Sequence, residues 1–194
     1  MKGRSIGVFS GSFNPIHVGH LILANYMREF TYLDEVWFVV TPHNPLKEPI
    51  DLLDDRQRLE MVRLALQDHD GMQASDIEFR LPRPSYTVDT FAALQKEYPN
   101  TEFTLIIGGD NWSLFNRWKD HDVLLQKYRL LIYPRQGIPV IIPSEYEKSV
   151  QLVPAPMVEI SSTFIRDGIR EGKNMKAFLP PKVYDYIEKG GLYR

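Results

Sequence analysis

"SIGVFSGSFNPIHVGHLILANYMREF" occupies residues 5–30 and joins a strand signal to a helix signal. The run SIGVF (5–9) is short and apolar and stops at Ser and Gly, as a buried strand does. IHVGHLILANYMREF (16–30) carries Leu23, Met27 and Phe30 on one side of a helix. Between them lies a run of small, polar, turn-forming residues. Strand, turn and helix in that order open a parallel α/β sheet.

The pattern repeats outward. EVWFVVT (35–41) is almost continuously apolar, as expected of a strand covered on both faces. PHNPLKEPIDLLDD (42–55) has three prolines and reads as a long loop, a frequent home for function. RQRLEMVRLALQD (56–68) is an amphipathic helix with Leu59, Val62 and Leu66 on its apolar side. ASDIEFR (74–80) reads as a strand, and RPSYTVDTFAALQKEYP (83–99) as a loop entering a helix. EFTLIIGGD (102–110) and YRLLIYPR (128–135) are further buried strands. Residues 137–160 hold short strand candidates broken by Pro139, Pro143, Pro154 and Pro156. SSTFIRDGIREG (161–172) starts a helix, and PKVYDYIEKGG (181–191) is a final helix with Pro181 near its entry and Gly190 past its end. The expected class is α/β with a mainly parallel sheet. Ligands bind such sheets beyond the carboxyl ends of the strands, near a topological switch point.

The 194 residues suit one domain, 1–194, with no repeat, linker or low-complexity segment. Hydrophobic residues are 43% and charged residues 25%, an ordinary globular balance. A net charge of -2 gives no expectation of a nucleic-acid or membrane-binding surface. With no cysteine, disulfides, zinc–thiolate sites and cysteine nucleophiles drop out. No signal peptide and no apolar span of the length a membrane requires are legible, so the expected location is the cytoplasm. Self-association into a homo-oligomer is left open.

Within the opening turn, Asn14 is a good helix N-cap and Pro15 suits the first helical position. On that reading His17 lies in the first turn, with His20 on nearly the same face. Gly19 between them costs the helix roughly 1 kcal/mol relative to alanine, which a ligand approaching closely there would explain. A helix start offers unpaired N–H groups and a positive dipole end to phosphate, and imidazoles add donors. The histidines can equally be structural. A metal pair is disfavoured, since the zincin spacing and its glutamate are missing. Neither a dinucleotide-binding glycine fingerprint nor a Walker sequence is present.

The whole stretch GSFNPIHVGH (11–20) resembles the G-x-F-x-P-x-H-x-G-H signature of the nucleotidyltransferase superfamily, and ISSTFIR (160–166) resembles its I-S-S-T-x-I-R motif. Within that superfamily PSYTVDT (84–90), GGDN (108–111) and RWK (117–119) are similar to bacterial nicotinate-nucleotide adenylyltransferases. The resemblance implies a Rossmann-like nucleotidyltransferase fold with a small C-terminal helical portion, about 161–194. It implies transfer of the AMP part of ATP to nicotinate mononucleotide, giving deamido-NAD and pyrophosphate, with Mg2+ carried mainly by the ATP phosphates and no residue assigned as a metal ligand. His17, His20 and Arg166 would be catalytic and contact the phosphates. Gly11, Ser12, Phe13, Gly108, Asp110, Arg135, Ser162, Thr163 and Phe164 would bind ATP, with Asp110 on a ribose hydroxyl. Asn44, Lys47, Tyr86, Thr87, Trp118 and Lys119 would hold the mononucleotide, Trp118 stacking on its pyridine ring. The chain departs from the family where relatives carry an adjacent His-Lys pair. Here His43 and Lys47 are separated. Rival readings are a phosphopantetheine or nicotinamide mononucleotide adenylyltransferase, a non-catalytic nucleotide-binding module, and a metal-dependent hydrolase.

Overall fold

All six strands of the sheet run parallel, in the order β3-β2-β1-β4-β5-β6. They are β1 (Arg4–Gly11), β2 (Glu35–Val40), β3 (Met72–Ser75), β4 (Thr101–Gly108), β5 (Arg129–Tyr133) and β6 (Val150–Leu152). The helices are α1 (Val18–Phe30), α2 (Asp55–Leu66), α3 (Thr87–Glu97), α4 (Gly109–Ser113), α5 (His121–Lys127), α6 (Ser162–Arg170) and α7 (Pro181–Gly190). This computed structural model describes residues 3–42 and 52–194. Asn44, Lys47 and His43 lie outside the described residues. No helix among the described residues is long and apolar enough to cross a membrane.

The apolar strands serve two cores because successive side chains point to opposite faces. Phe38 and Val40 pack with α1, α2, α6 and α7, while Trp37 and Val39 face α3 and α5. That is why β2 reads as a continuous apolar run and not as an alternating one. The strand order reverses between β1 and β4, and this switch point opens a crevice above their carboxyl ends. Gly11 pairs with Val40 and Gly108 with Tyr133, so four strand ends finish along one edge.

Several local expectations are corrected. The strand expected over 74–80 is β3, Met72–Ser75, followed by a 3-10 turn over Ile77–Arg80. Ser75 Oγ accepts from Ile77 N–H and bends the chain there, burying Ile77 and Glu78. Residues 137–160 yield one strand, β6. Helices α4 and α5 were not expected; each is too short to carry an apolar stripe. The last helix runs through Gly190, and Gly191, at φ 57°, is its left-handed cap.

Arg58 of α2 is completely buried, although an amphipathic helix pattern assigns such a residue to solvent. Its guanidinium donates to the carbonyls of Leu53, Ser12, Thr41 and Pro42 and to the Asp55 carboxylate. The β1 and β2 ends and the entry to α2 are thereby joined by one side chain. Arg58→Ala strands four carbonyls and should lower unfolding free energy by roughly 3–5 kcal/mol. Urea denaturation measures this, and a loss below about 1 kcal/mol would show the clamp to be dispensable.

Candidate active site

The turn after β1 is shaped from both sides. Phe13 adopts φ 45°, a left-handed conformation unusual for a large side chain, and its ring is buried against Phe9 and Phe38. Its ring is thus core, and only its backbone is turned to the crevice loop. Asn14 is not the helix cap that the sequence suggests. Its Oδ1 accepts from the Tyr193 hydroxyl at 2.8 Å and from Leu53 N–H at 3.3 Å. The cap is His17, and α1 begins at Val18.

His17 and His20 stack, with centroids 3.7 Å apart and planes at 26°. His20 Nδ1 accepts from the His17 backbone N–H at 3.2 Å. A neutral imidazole with Nδ1 accepting carries its proton on Nε2, so His20 presents Nε2 as a donor. Phe13 meets the His20 ring edge-on at 5.1 Å. His17 is 4% exposed, and its Nδ1 has no hydrogen-bond partner among the described residues. Burial, with a smaller contribution from the nearby Arg135 charge, lowers the His17 pKa to about 4. Gly19 has a different reason from ligand clearance: a Cβ there would stand 3.0 Å from His17 Nδ1 and 3.4 Å from Val158. Glycine makes room for the histidine ring itself.

The second motif docks on the first. Ser162 Oγ donates to the Pro15 carbonyl at 2.9 Å, and Arg166 Nη1 donates to the Asn14 carbonyl at 2.9 Å. Ser161 caps α6 through Phe164 N–H. Thr163 Oγ1 lies 3.4 Å from Arg166 Nη2. Arg166 Nε is buried without a partner among the described residues. Phe164 lies on another face of α6, its ring edge-on to Phe178 at 5.2 Å.

Across the crevice, Asp110 and Arg135 follow β4 and β5 and pair at 3.6 Å. Arg135 also covers the Tyr133 ring, 5.0 Å from its centroid. Gly108 serves Asp110 directly, because a Cβ there would collide with the Asp110 carboxylate. The remaining predicted residues form a separate group. Tyr86 caps α3, whose first residue is Thr87. Lys119 sits over the Tyr86 ring at 4.8 Å and pairs with Asp89 at 3.0 Å. Trp118 tilts against Phe115 at 5.1 Å, its buried Nε1 without a partner among the described residues. The starts of α3 and α5 both lie at the carboxyl edge of the sheet, since each helix leads down into the foot of a parallel strand.

A family model described as cytidylyltransferase-like matches residues 8–168. A Flavobacterium johnsoniae protein named "Probable nicotinate-nucleotide adenylyltransferase" is 50% identical over 190 residues, covering 97% of this chain and 98% of its own. A Bacteroides fragilis protein of the same name is 51% identical over 187 residues, covering 96% and 92%. The chain belongs to the nicotinate-nucleotide adenylyltransferase family. It is therefore a nucleotidyltransferase. The nicotinic acid mononucleotide adenylyltransferase of Plasmodium falciparum, solved in complex with NaAD, shares its fold at TM-score 0.80 and 21% identity, covering 98% of this chain and 97% of that one. The same protein solved with APC gives 0.79 at 20% identity, with the same coverage.

Two buried polar residues near the site carry no signal in the sequence. Glu78 is buried beneath the start of α3, where its Oε1 accepts from Thr90 Oγ1 at 2.9 Å, and burial raises its pKa. Tyr193 reaches Asn14 from beyond α7. Neither leaves a local signature; both are visible only as contacts across the fold.

The His17 pKa lies below that of an unfolded histidine, so the unfolded chain binds more protons between about pH 6.5 and 4. The stability it contributes is complete above about pH 6.5 and is lost as pH falls toward the folded value, about 3 kcal/mol in all. His17→Gln should flatten the stability profile across that window. In the native protein, the imidazole NMR titration of His17 should centre near pH 4, and Arg135→Gln should raise it. A midpoint near that of free histidine would contradict the buried, neutral ring.

Proposed function

We propose that this chain transfers the adenylyl group of ATP to nicotinate mononucleotide, releasing pyrophosphate, in NAD biosynthesis. The carrying observation is the docking of Ser162 and Arg166 on the carbonyls of Pro15 and Asn14. It gathers the stacked histidines, the α1 start and an arginine around one edge of the switch-point crevice. Such a collection of donors suits a triphosphate.

The acceptor's 5′-phosphate attacks the α-phosphorus in line, and the bond to the β-phosphate oxygen breaks. The nucleophile is already ionised near neutral pH, so no strong base is needed. The protein's work is to position the reactants and to meet negative charge as it develops. His20 supplies Nε2–H, and Arg166 supplies charge and its unpartnered Nε–H. His17, neutral at pH 7, acts as a polar contact and a support for His20. Gly11, Ser12 and Phe13 offer backbone groups, and Asp110 faces the ribose beside Arg135. Tyr86, Thr87, Trp118 and Lys119 form the acceptor side, with the Trp118 ring available to stack.

Magnesium belongs to the ATP that enters. Among the described residues no three His, Cys, Asp or Glu side chains converge to hold a metal, and the crevice carboxylate Asp110 is paired with Arg135. When bound, the ion neutralises phosphate charge.

Pyrophosphate release from ATP should be fastest with nicotinate mononucleotide when it is compared with nicotinamide mononucleotide and phosphopantetheine. Preference for phosphopantetheine would overturn the substrate assignment. His20→Ala should lower kcat by about a hundredfold or more with little change in acceptor KM; an unchanged kcat would remove the histidine from the transition state. Trp118→Ala should raise the KM for the pyridine mononucleotide and leave the KM for ATP intact. Equal loss of both would make the tryptophan a core residue only.

A further inference from the structure

Asp55, the first residue of α2, binds two arginines with its two oxygens. Oδ1 accepts from Arg58 Nη2 at 2.5 Å, and Oδ2 accepts from Arg83 Nη2 at 2.7 Å. These arginines lead to different halves of the crevice. Arg58 is fully buried and holds the Ser12 carbonyl at 2.6 Å and the Thr41 carbonyl at 2.9 Å, at the ends of β1 and β2. Arg83 is 57% exposed in its side chain and immediately precedes Pro84, Ser85, Tyr86 and Thr87. That segment opens α3 and carries the ring under Lys119. One carboxylate thus spans from the loop assigned to ATP to the segment assigned to the acceptor.

We infer that Asp55 is a positioning residue that couples the two half-sites, fixing the ATP loop through Arg58 and the acceptor segment through Arg83. This rests on the functional reading above. Each oxygen of Asp55 accepts one guanidinium N–H in a charge-assisted bond, so the carboxylate is tied to the Ser12 and Thr41 carbonyls through Arg58 and, through Arg83, to the chain that leads into α3. The coupling is asymmetric because the Arg58 arm is buried and five times bonded, whereas the Arg83 arm is one bond from an exposed guanidinium to a carboxylate that is 18% exposed. The Arg83 arm can therefore be cut alone. A single bond from an exposed arginine contributes little to global stability, so cutting it should lower the thermal midpoint only slightly.

The test compares Arg83→Ala, Arg83→Lys and Asp55→Asn with the wild type, by steady-state kinetics and by amide hydrogen exchange of the ligand-free protein. Arg83→Ala should raise the KM for nicotinate mononucleotide about fivefold or more, with kcat and the KM for ATP within about twofold. Exchange at Asp89 and Thr90, whose N–H groups donate to the Tyr86 carbonyl, should quicken, while that at Thr41, whose N–H donates to the Gly11 carbonyl, stays put. Arg83→Lys should recover much of the acceptor KM, since it keeps the charge. Asp55→Asn should raise both KM values and quicken exchange in both segments. An Arg83→Ala protein with unchanged acceptor KM and unchanged exchange would overturn the coupling. So would an Asp55→Asn protein that loosens only one segment. Failure of the wild type to use nicotinate mononucleotide would overturn the functional reading instead, and the exchange data would still decide the coupling.

Discussion

The site depends on the hydrogen bonds that converge on Asn14. Its carbonyl accepts from Arg166 on α6, and its side-chain oxygen accepts from Leu53 ahead of α2 and from Tyr193 beyond α7. The donors lie 152, 39 and 179 residues away in sequence. The turn they fix includes a left-handed phenylalanine, which costs on the order of 1 kcal/mol or more. Burial of the Phe13 ring offsets that cost, and the polar ties leave the backbone no alternative path. The carbonyls of Ser12, Asn14 and Pro15 are claimed by Arg58, Arg166 and Ser162, as the proposed phosphate contacts of this loop require.

From this follows the character of the histidines. His17 is buried, deprotonated at neutral pH and packed flat on His20, whose Nδ1 is committed to the His17 backbone. A ring so placed is a poor proton shuttle and a good oriented dipole. The positive charge comes from Arg166 and Arg135, which are permanently charged. Keeping His17 neutral avoids adding a third cation beside Arg166 and Arg135, and its burial makes charging costly. Fixed donors of this kind need no reorganisation when charge develops, which is where electrostatic catalysis gains its advantage.

The strands, their parallel arrangement and the pairing of the two motifs were legible in the sequence because each is written locally: an apolar run, a turn, a short signature. What was not legible depends on distant partners. Asn14 reads as a cap because a cap is its commonest local use, and Tyr193 and Leu53 draw its side chain elsewhere. Gly19 reads as clearance for a ligand and Gly108 as an ATP contact, whereas the atoms that need the space are the chain's own His17 ring and Asp110 carboxylate. Arg58 reads as solvent-facing, because nothing in a helical pattern distinguishes a buried cation from an exposed one. The 3-10 turn over Ile77–Arg80 reads as strand because it, too, is apolar at alternate positions, and a single Ser75 bond redirects it.

These misreadings share a physical cause that bears on how the crevice works. A transfer without a covalent intermediate gains its rate from holding two nucleotides in line, and a displacement near 1 Å costs on the order of a hundredfold. Apolar packing is non-directional, so it places elements without aiming them. Polar ties aim, but they must be satisfied completely once buried, or they cost more than they contribute. The chain has therefore placed its precise contacts where the two core faces and the strand ends meet, using Arg58, which holds four backbone carbonyls, and Asn14, which is held by Leu53, Tyr193 and Arg166. The apolar layers determine which elements lie beside the crevice. The buried polar residues determine where those elements point, and their partners are scattered along the sequence because the elements to be aimed are.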